Sequence, residues 1–190
     1  MKKQILCIAI LLIASAAVSA QTGKLVEKID KVRADISEKA RVAETDDDQG
    51  EFGPLFVNEL TVNSRNHQWR AVGIHRLNFR FFYEGGDSED HMFPDRLVLV
   101  KTERRESNRT YFEQFLYNDA GTLIFYSQKA ENDDQTPAER RVYFSGIKAI
   151  RIVEDAKTRD KLTVKDAAIT KAILAESAKL KDLFSRSIQL

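Results

Sequence analysis

The chain has 190 residues, with 30 Lys and Arg against 29 Asp and Glu; 43% of it is hydrophobic, and it has eight Gly, three Pro and one Cys. That composition excludes disordered, collagenous and low-complexity classes. A formal net charge of +1 gives no basis for a nucleic-acid partner or a strongly anionic membrane target.

The first twenty residues read as an address. Lys2 and Lys3 precede an apolar run from Ile5 to Ala14, and Val18-Ser19-Ala20 puts small residues one and three positions before a cut at Gln21. This is the grammar of a cleaved secretory signal peptide. A bilayer-spanning helix needs about 20 apolar residues, so the run is too short for an anchor. Cys7 stands at the start of the run, whereas a lipidated cysteine would stand at its end. With residues 1–20 removed, residues 21–190 form one domain without cysteine. It can have no disulfide, thiolate metal site or cysteine nucleophile. A chain of that size buries roughly 70% of its unfolded surface and must be held by its core. The expected location is the periplasm or the extracellular space, with no membrane span.

The spacing predicts a helix over 24–43. Leu25, Ile29, Val32, Ile36 and Ala40 recur at intervals of three and four, with charged residues between them. Asp46-Asp47-Asp48 and Gly53-Pro54 then end the helical pattern.

From 56 to 155 the period changes to two. Strands are expected at 56–64, 70–83, 95–103, 109–118, 122–129, 140–145 and 149–154. Asn118-Asp119-Ala120-Gly121 is a hairpin turn, and Gly146 joins the last two strands. Seven strands with short connections imply an antiparallel meander, because parallel neighbours need crossovers of a dozen residues or more. Thr163-Val164-Lys165-Asp166 resembles a capping box. Ile169, Ile173, Leu180, Leu183 and Phe184 continue it as a second amphipathic helix over 164–187. The expected fold is α+β: a single domain with a curved antiparallel meander sheet of about seven strands, flanked by an N-terminal and a C-terminal amphipathic helix.

Apolar side chains occur on both parities of these strands. Leu77, Phe79, Phe81 and Tyr83 share one parity, and Phe82 takes the other. Tyr111, Phe115 and Tyr117 oppose Phe112 and Leu116, Leu123 and Phe125 oppose Ile124 and Tyr126, and Tyr143 opposes Val142 and Phe144. A sheet with one wet face alternates more cleanly. If both helices cover one face, the other is curled into a filled partial barrel, exposed as an aromatic groove, or used for dimerisation. The expected ligand-binding face consists of Arg80, Tyr83, Tyr111, Phe115, Tyr126 and Tyr143, since Tyr and Arg combine apolar area with directed polar groups.

Catalytic and metal signatures are sparse. His67, His75 and His91 lie in no HExxH or HxH arrangement, and no GxSxG elbow is present. His75 shares the parity of Leu77 and Phe79 and reads as a hydrogen-bonded core histidine. The acidic segments Asp46–Asp48, Asp87–Asp90 and Asn132–Asp134 lack the EF-hand register and read as solvated turns. Glu59, Glu103 and Glu113 lie on strands, and His75 with Glu113 or Glu59 is the first grouping to test for acid–base chemistry. The arginines Arg76, Arg80, Arg104, Arg105, Arg109, Arg140 and Arg141 read as a stripe balanced by glutamates, or more sharply as an anion-binding surface. No catalytic residue, metal ligand or cofactor is assigned.

Three stretches, AVGIHRLNFRFFYE at 71–84, YFEQFLYNDAGTLIFYSQ at 111–128 and RRVYFSGIKAIRI at 140–152, together resemble a group of small exported bacterial proteins with no assigned function. Tyr117, Asp119, Gly121 and Leu123 also resemble one unit of the YD repeats of large secreted shells, occurring here once. The resemblance implies export and an α+β hairpin architecture, and no catalytic residues. The sequence therefore points to an exported binding or interaction domain without enzymatic activity, whose partner is a glycan, a small molecule or another exported protein. Two alternatives stand beside it. One is a hydrolase of envelope or glycan material. The other is a chaperone- or inhibitor-like protein that binds an exported partner by strand addition.

Overall fold

A computed structural model describes residues 2–45, 55–70, 73–85 and 96–188, with side chains described from residue 21 onward. Helix α1 runs from Lys2 to Thr45 and α2 from Val164 to Ser187. Between them lie β1 (Phe56–Val62), β2 (Gln68–Trp69), β3 (Gly73–Glu84), β4 (Arg96–Glu106), β5 (Arg109–Tyr117), β6 (Leu123–Glu131), β7 (Glu139–Ser145), β8 (Lys148–Glu154) and β9 (Lys157–Arg159). Pairing is antiparallel throughout, in the order β1-β3-β4-β5-β6-β7-β8-β9, with β2 added to the start of β3. The α+β single domain and its meander are as expected.

The sheet has nine strands rather than seven, and it is open. The strand expected over 70–83 is β3, which starts at Gly73, and the added β2 lies before it: Trp69 pairs with Gly73, whose φ of 71° suits a residue without a Cβ. Beyond Glu154, the short β9 extends the other edge after a turn at Asp155. The acidic segment 46–48, Gly53-Pro54, the segment 87–90 and His91 lie outside the described residues.

Turn chemistry sets the meander. Asn118 Oδ1 accepts from the backbone N–H groups of Ala120 at 3.1 Å and Thr122 at 2.9 Å. Gly121 supplies the positive φ that closes this turn. At α2, the box expected from the sequence is formed: Thr163 Oγ1 accepts from Asp166 N at 3.2 Å, and Asp166 Oδ2 accepts from Thr163 N at 2.9 Å. These bonds satisfy donors that every helix start leaves without partners.

The expectation that one sheet face lacks a helix is overturned, because the helices lie on opposite faces. Val26, Ile29, Ile36 and Ala40 of α1 pack with Phe82, Val98, Leu99, Leu116, Phe125 and Tyr143. Ile173, Leu180 and Phe184 of α2 pack with Phe81, Val100, Phe115, Tyr126, Val142 and Ile152. Phe81 and Phe82 are adjacent in the chain, and each is fully buried in a different layer. Apolar residues on both parities thus reflect a sheet sandwiched between two helices.

Three register shifts complete the pattern. They leave one extra residue each on β4, β6 and β8: Val98, Ile124 and Ile150. Each extra residue lets two consecutive side chains face α1, a property of β-bulges. On β6 this changes the expected parity. Ile124 and Phe125 pack toward α1, whereas Leu123 and Tyr126 pack toward α2.

Candidate functional site

The six residues expected to form one face do not share one. Arg80 and Tyr143 point to the α1 side, where Arg80 meets Glu44 at 2.6 Å and the Tyr143 hydroxyl donates to Asp30 at 3.1 Å. Tyr83, Tyr111, Phe115 and Tyr126 point to the α2 side, and Tyr83 packs on Phe184 with ring centroids 5.3 Å apart. Tyr111, Phe115, Tyr126 and Tyr143 are buried, so no open face is available to them. Arg80 takes the opposite parity of β3 from Tyr83, and Tyr143 pairs with Phe125 on the α1 side, which takes these two away from the other four.

The α2 side nevertheless contains a concavity. Helix α2 covers the sheet row Phe81–Val100–Phe115–Tyr126–Val142 but leaves the next row only partly roofed. By register that next row is Phe79, Thr102, Glu113, Gln128 and Arg140. A groove of about 520 Å³ lies over it, with Ile169, Ile173, Glu176 and Leu180 of α2 as one wall and Arg104 and His75 toward its outer end. That volume falls in the range of small-molecule sites, about 300–1,000 Å³.

The polar row has a defined geometry. The Tyr126 hydroxyl donates to Glu113 Oε1 at 2.6 Å, and Thr102 Oγ1 donates to Glu113 Oε2 at 3.2 Å. Burial, then the Glu113 charge, pushes the Tyr126 phenol far above its ordinary value, so it stays protonated and fixed as a donor. Arg140 donates through Nε to Glu154 at 2.8 Å and through Nη1 to Gln128 Oε1 at 3.2 Å. Gln128 is only 8% exposed. Its oxygen is turned to Arg140, so its Nε2 is turned away, and that nitrogen has no hydrogen-bond partner among the described residues. Arg104 donates to Glu106 at 2.6 Å and lies over the Tyr111 ring at 4.2 Å.

The acid–base groupings raised by the sequence are not formed. Glu113 is on the α2 side, whereas Glu59 faces α1 and accepts from Asn78 at 2.5 Å. Glu103 also faces α1 by register. His75 lies opposite Glu106, four residues along β3 from the Glu113 row, or about 13 Å at strand rise. Nor is it a core histidine: it is half-buried and packs against Trp69 with the rings tilted and their centroids 5.4 Å apart. Among the described residues, no group of three or more His, Cys, Asp or Glu converges as a metal site. The arginine stripe is largely balanced, by Glu44 at Arg80, Glu106 at Arg104, Glu154 at Arg140 and Glu139 at Arg141. Arg76 and Arg105 oppose each other directly, without an ion pair among the described residues.

No protein-family model, characterised protein or solved structure matches this chain. The groove's own chemistry is therefore the basis for a function. Sequence reasoning missed Thr102 and Gln128. The signal was present: in each of β4, β5, β6 and β7 a polar residue interrupts the apolar parity two positions from a buried one. The pairs are Thr102 with Val100, Glu113 with Phe115, Gln128 with Tyr126 and Arg140 with Val142.

Proposed function

We propose that the protein is an exported binding protein without catalytic function, and that its ligand occupies the groove between α2 and the sheet. The observation that carries this reading is the Gln128 amide: its Nε2 has no protein partner among the described residues and stays open to solvent at the groove, in a floor where the neighbouring polar groups are held by defined bonds. A donor that no protein group occupies and that opens on a concavity suits a ligand. Export follows from the signal-peptide grammar of residues 1–20, and among the described residues no helix is long and apolar enough to cross a membrane. Residues 71–84, 111–128 and 140–152 support membership of the exported group they resemble. The test is to recover the protein from its own envelope, extract it under denaturing conditions and identify what co-purifies, beside an Ile173→Trp variant that fills the groove. A small molecule enriched on the wild type and lost on the variant supports the proposal; equal extracts overturn it.

A second reading has one observation of its own. Strand β1 is a sheet edge, and Phe56, Val57, Leu60 and Val62 are each 37–44% exposed on it. An apolar edge favours binding of an exported protein by strand addition.

A further inference from the structure

We infer that the groove takes an uncharged polyhydroxylated ligand, a mono- or disaccharide, rather than an organic anion, an amine or a purely apolar molecule. The inference rests on the groove being the ligand site. Charge is the first argument. Three charged side chains lining the groove already have ion-pair partners: Arg104 with Glu106, Arg140 with Glu154, and Glu176 with Lys179 at 3.1 Å, while Glu103, which borders it, faces α1 by register. Glu113 accepts from Tyr126 and Thr102 and stands between Arg104 and Arg140 on the same sheet face. Among the described residues, an anion entering here finds no cation without a partner, and an amine meets a carboxylate, Glu113, that already accepts two hydrogen bonds and stands between two guanidinium groups. The anion would surrender its hydration without a counter-charge, and the amine would lie against the charges of Arg104 and Arg140.

Hydrogen-bonding capacity is the second argument. Glu113 keeps a lone pair on each oxygen as an acceptor, directly across from Gln128, whose Nε2 is a donor. The Arg104 guanidinium has donors beyond the one given to Glu106. A sugar hydroxyl both donates and accepts, and neighbouring hydroxyls present both capacities side by side, matching a carboxylate next to an amide. A purely apolar ligand would leave the Gln128 donor buried and unpaired, at a cost of the kind that rejects such analogues strongly.

Shape is the third argument. Phe79 on the floor and Ile169 and Ile173 on the wall offer flat apolar surface to the C–H face of a pyranose, while the polar row faces its hydroxyls. The chain has a single tryptophan, Trp69, which packs against the groove residue His75 and so reports occupancy by fluorescence.

The experiment is a titration of the intact exported protein, followed by Trp69 fluorescence and calorimetry. The panel is glucose, galactose, mannose, N-acetylglucosamine and their β-linked disaccharides, beside galacturonate, glucosamine and octanoate. The expected result is saturable binding of at least one neutral saccharide, with its uronate or amine counterpart at least tenfold weaker. Gln128→Leu should weaken that binding at least tenfold, and Ile169→Trp, which acts from the helix wall and leaves the polar row intact, should abolish it. Binding of galacturonate, glucosamine or octanoate in preference to every neutral sugar overturns the inference while leaving the groove as the site. No binding across the panel also overturns it; if extracts of the wild type and the Ile173→Trp variant then also match, the groove reading falls as well.

Discussion

Tyr126 and Glu113 sit on adjacent strands two residues out of register, and the tyrosine hydroxyl reaches the carboxylate at 2.6 Å beneath the edge of α2. A phenol donating to a carboxylate in a half-buried setting is a charge-assisted bond, stronger than a neutral one. Tyr126→Phe should destabilise the protein by about 1–2 kcal/mol in urea unfolding. Glu113→Ala should cost more, because it strands the buried Tyr126 hydroxyl. The double variant should cost less than the sum, with a coupling of about 1 kcal/mol. Strict additivity would show that the bond does not form in solution.

The neighbours Phe81 and Phe82 provide a direct test of the two-sided core. Phe81 packs against Phe184 of α2 at 5.7 Å between centroids, and Phe82 lies in the α1 layer with the Lys101 ammonium 4.9 Å from its ring centre. Both are fully buried. Phe81→Ala and Phe82→Ala should therefore each cost about 3–5 kcal/mol. In a sheet with one wet face, one of the two would be nearly neutral. Calorimetric melting of the two single variants distinguishes these cases, and a small effect at Phe82 would mean that α1 does not hold its place on the sheet.

The periodicities of two and of three-to-four residues made the element types and the meander legible, because from β3 to β9 each strand pairs with its chain neighbour. Which helix covers which face was not legible. Ile29 and Ile36 on α1 are as apolar as Ile173 and Leu180 on α2, and spacing alone does not say where an amphipathic helix docks. The bulges were hidden for a different reason. Val98, Ile124 and Ile150 lie in ordinary β-branched or aliphatic stretches without a Gly to announce an extra residue. One such shift put Ile124 beside Phe125 on the α1 side and left Leu123 on the α2 side with Tyr126. The groove itself depends on where α2 stops covering the sheet, a tertiary fact that Thr102, Glu113, Gln128 and Arg140 only hint at by breaking apolar parity.

Asp166 links the C-terminal helix to acid stability. It is 2% exposed, closes the α2 cap and accepts from Arg159 Nη2 at 2.8 Å. Burial pushes its carboxyl up, but the bonds from Arg159 and Thr163 prevail and bring it down to about 2. A carboxyl held below its unfolded value of about 3.9 contributes stability above that pH. The contribution fades as pH falls from about 4 toward 2. Asp166→Asn should thus be less stable than wild type by about 1–2 kcal/mol at pH 6, in line with the loss of a helix cap. The gap between the two proteins should close by pH 2. A gap independent of pH would mean that the side chain acts through shape rather than charge.

The two edges of the sheet are unlike, and the difference predicts behaviour. Strand β9 is three residues long, Lys157-Thr158-Arg159, and its charges discourage pairing with another chain. Strand β1 is seven residues long, FVNELTV, without proline. Its one charged residue, Glu59, is engaged by Asn78 and Thr61 of the same sheet. An edge of that length and polarity is open to strand addition, whether by a second copy or by an extended segment of another protein. Leu60→Lys places a charge at the centre of this edge, where the leucine is already 37% exposed. Its long stem can still lie along the sheet while the ammonium reaches water. Sedimentation at increasing concentration should show the wild-type average mass rising and the variant's staying flat, with the melting temperatures within a few degrees of each other. If the wild-type mass stays at that of one chain across the range, and no exported protein is retained by wild type more than by Leu60→Lys, the apolar edge is inert and strand addition is not its use.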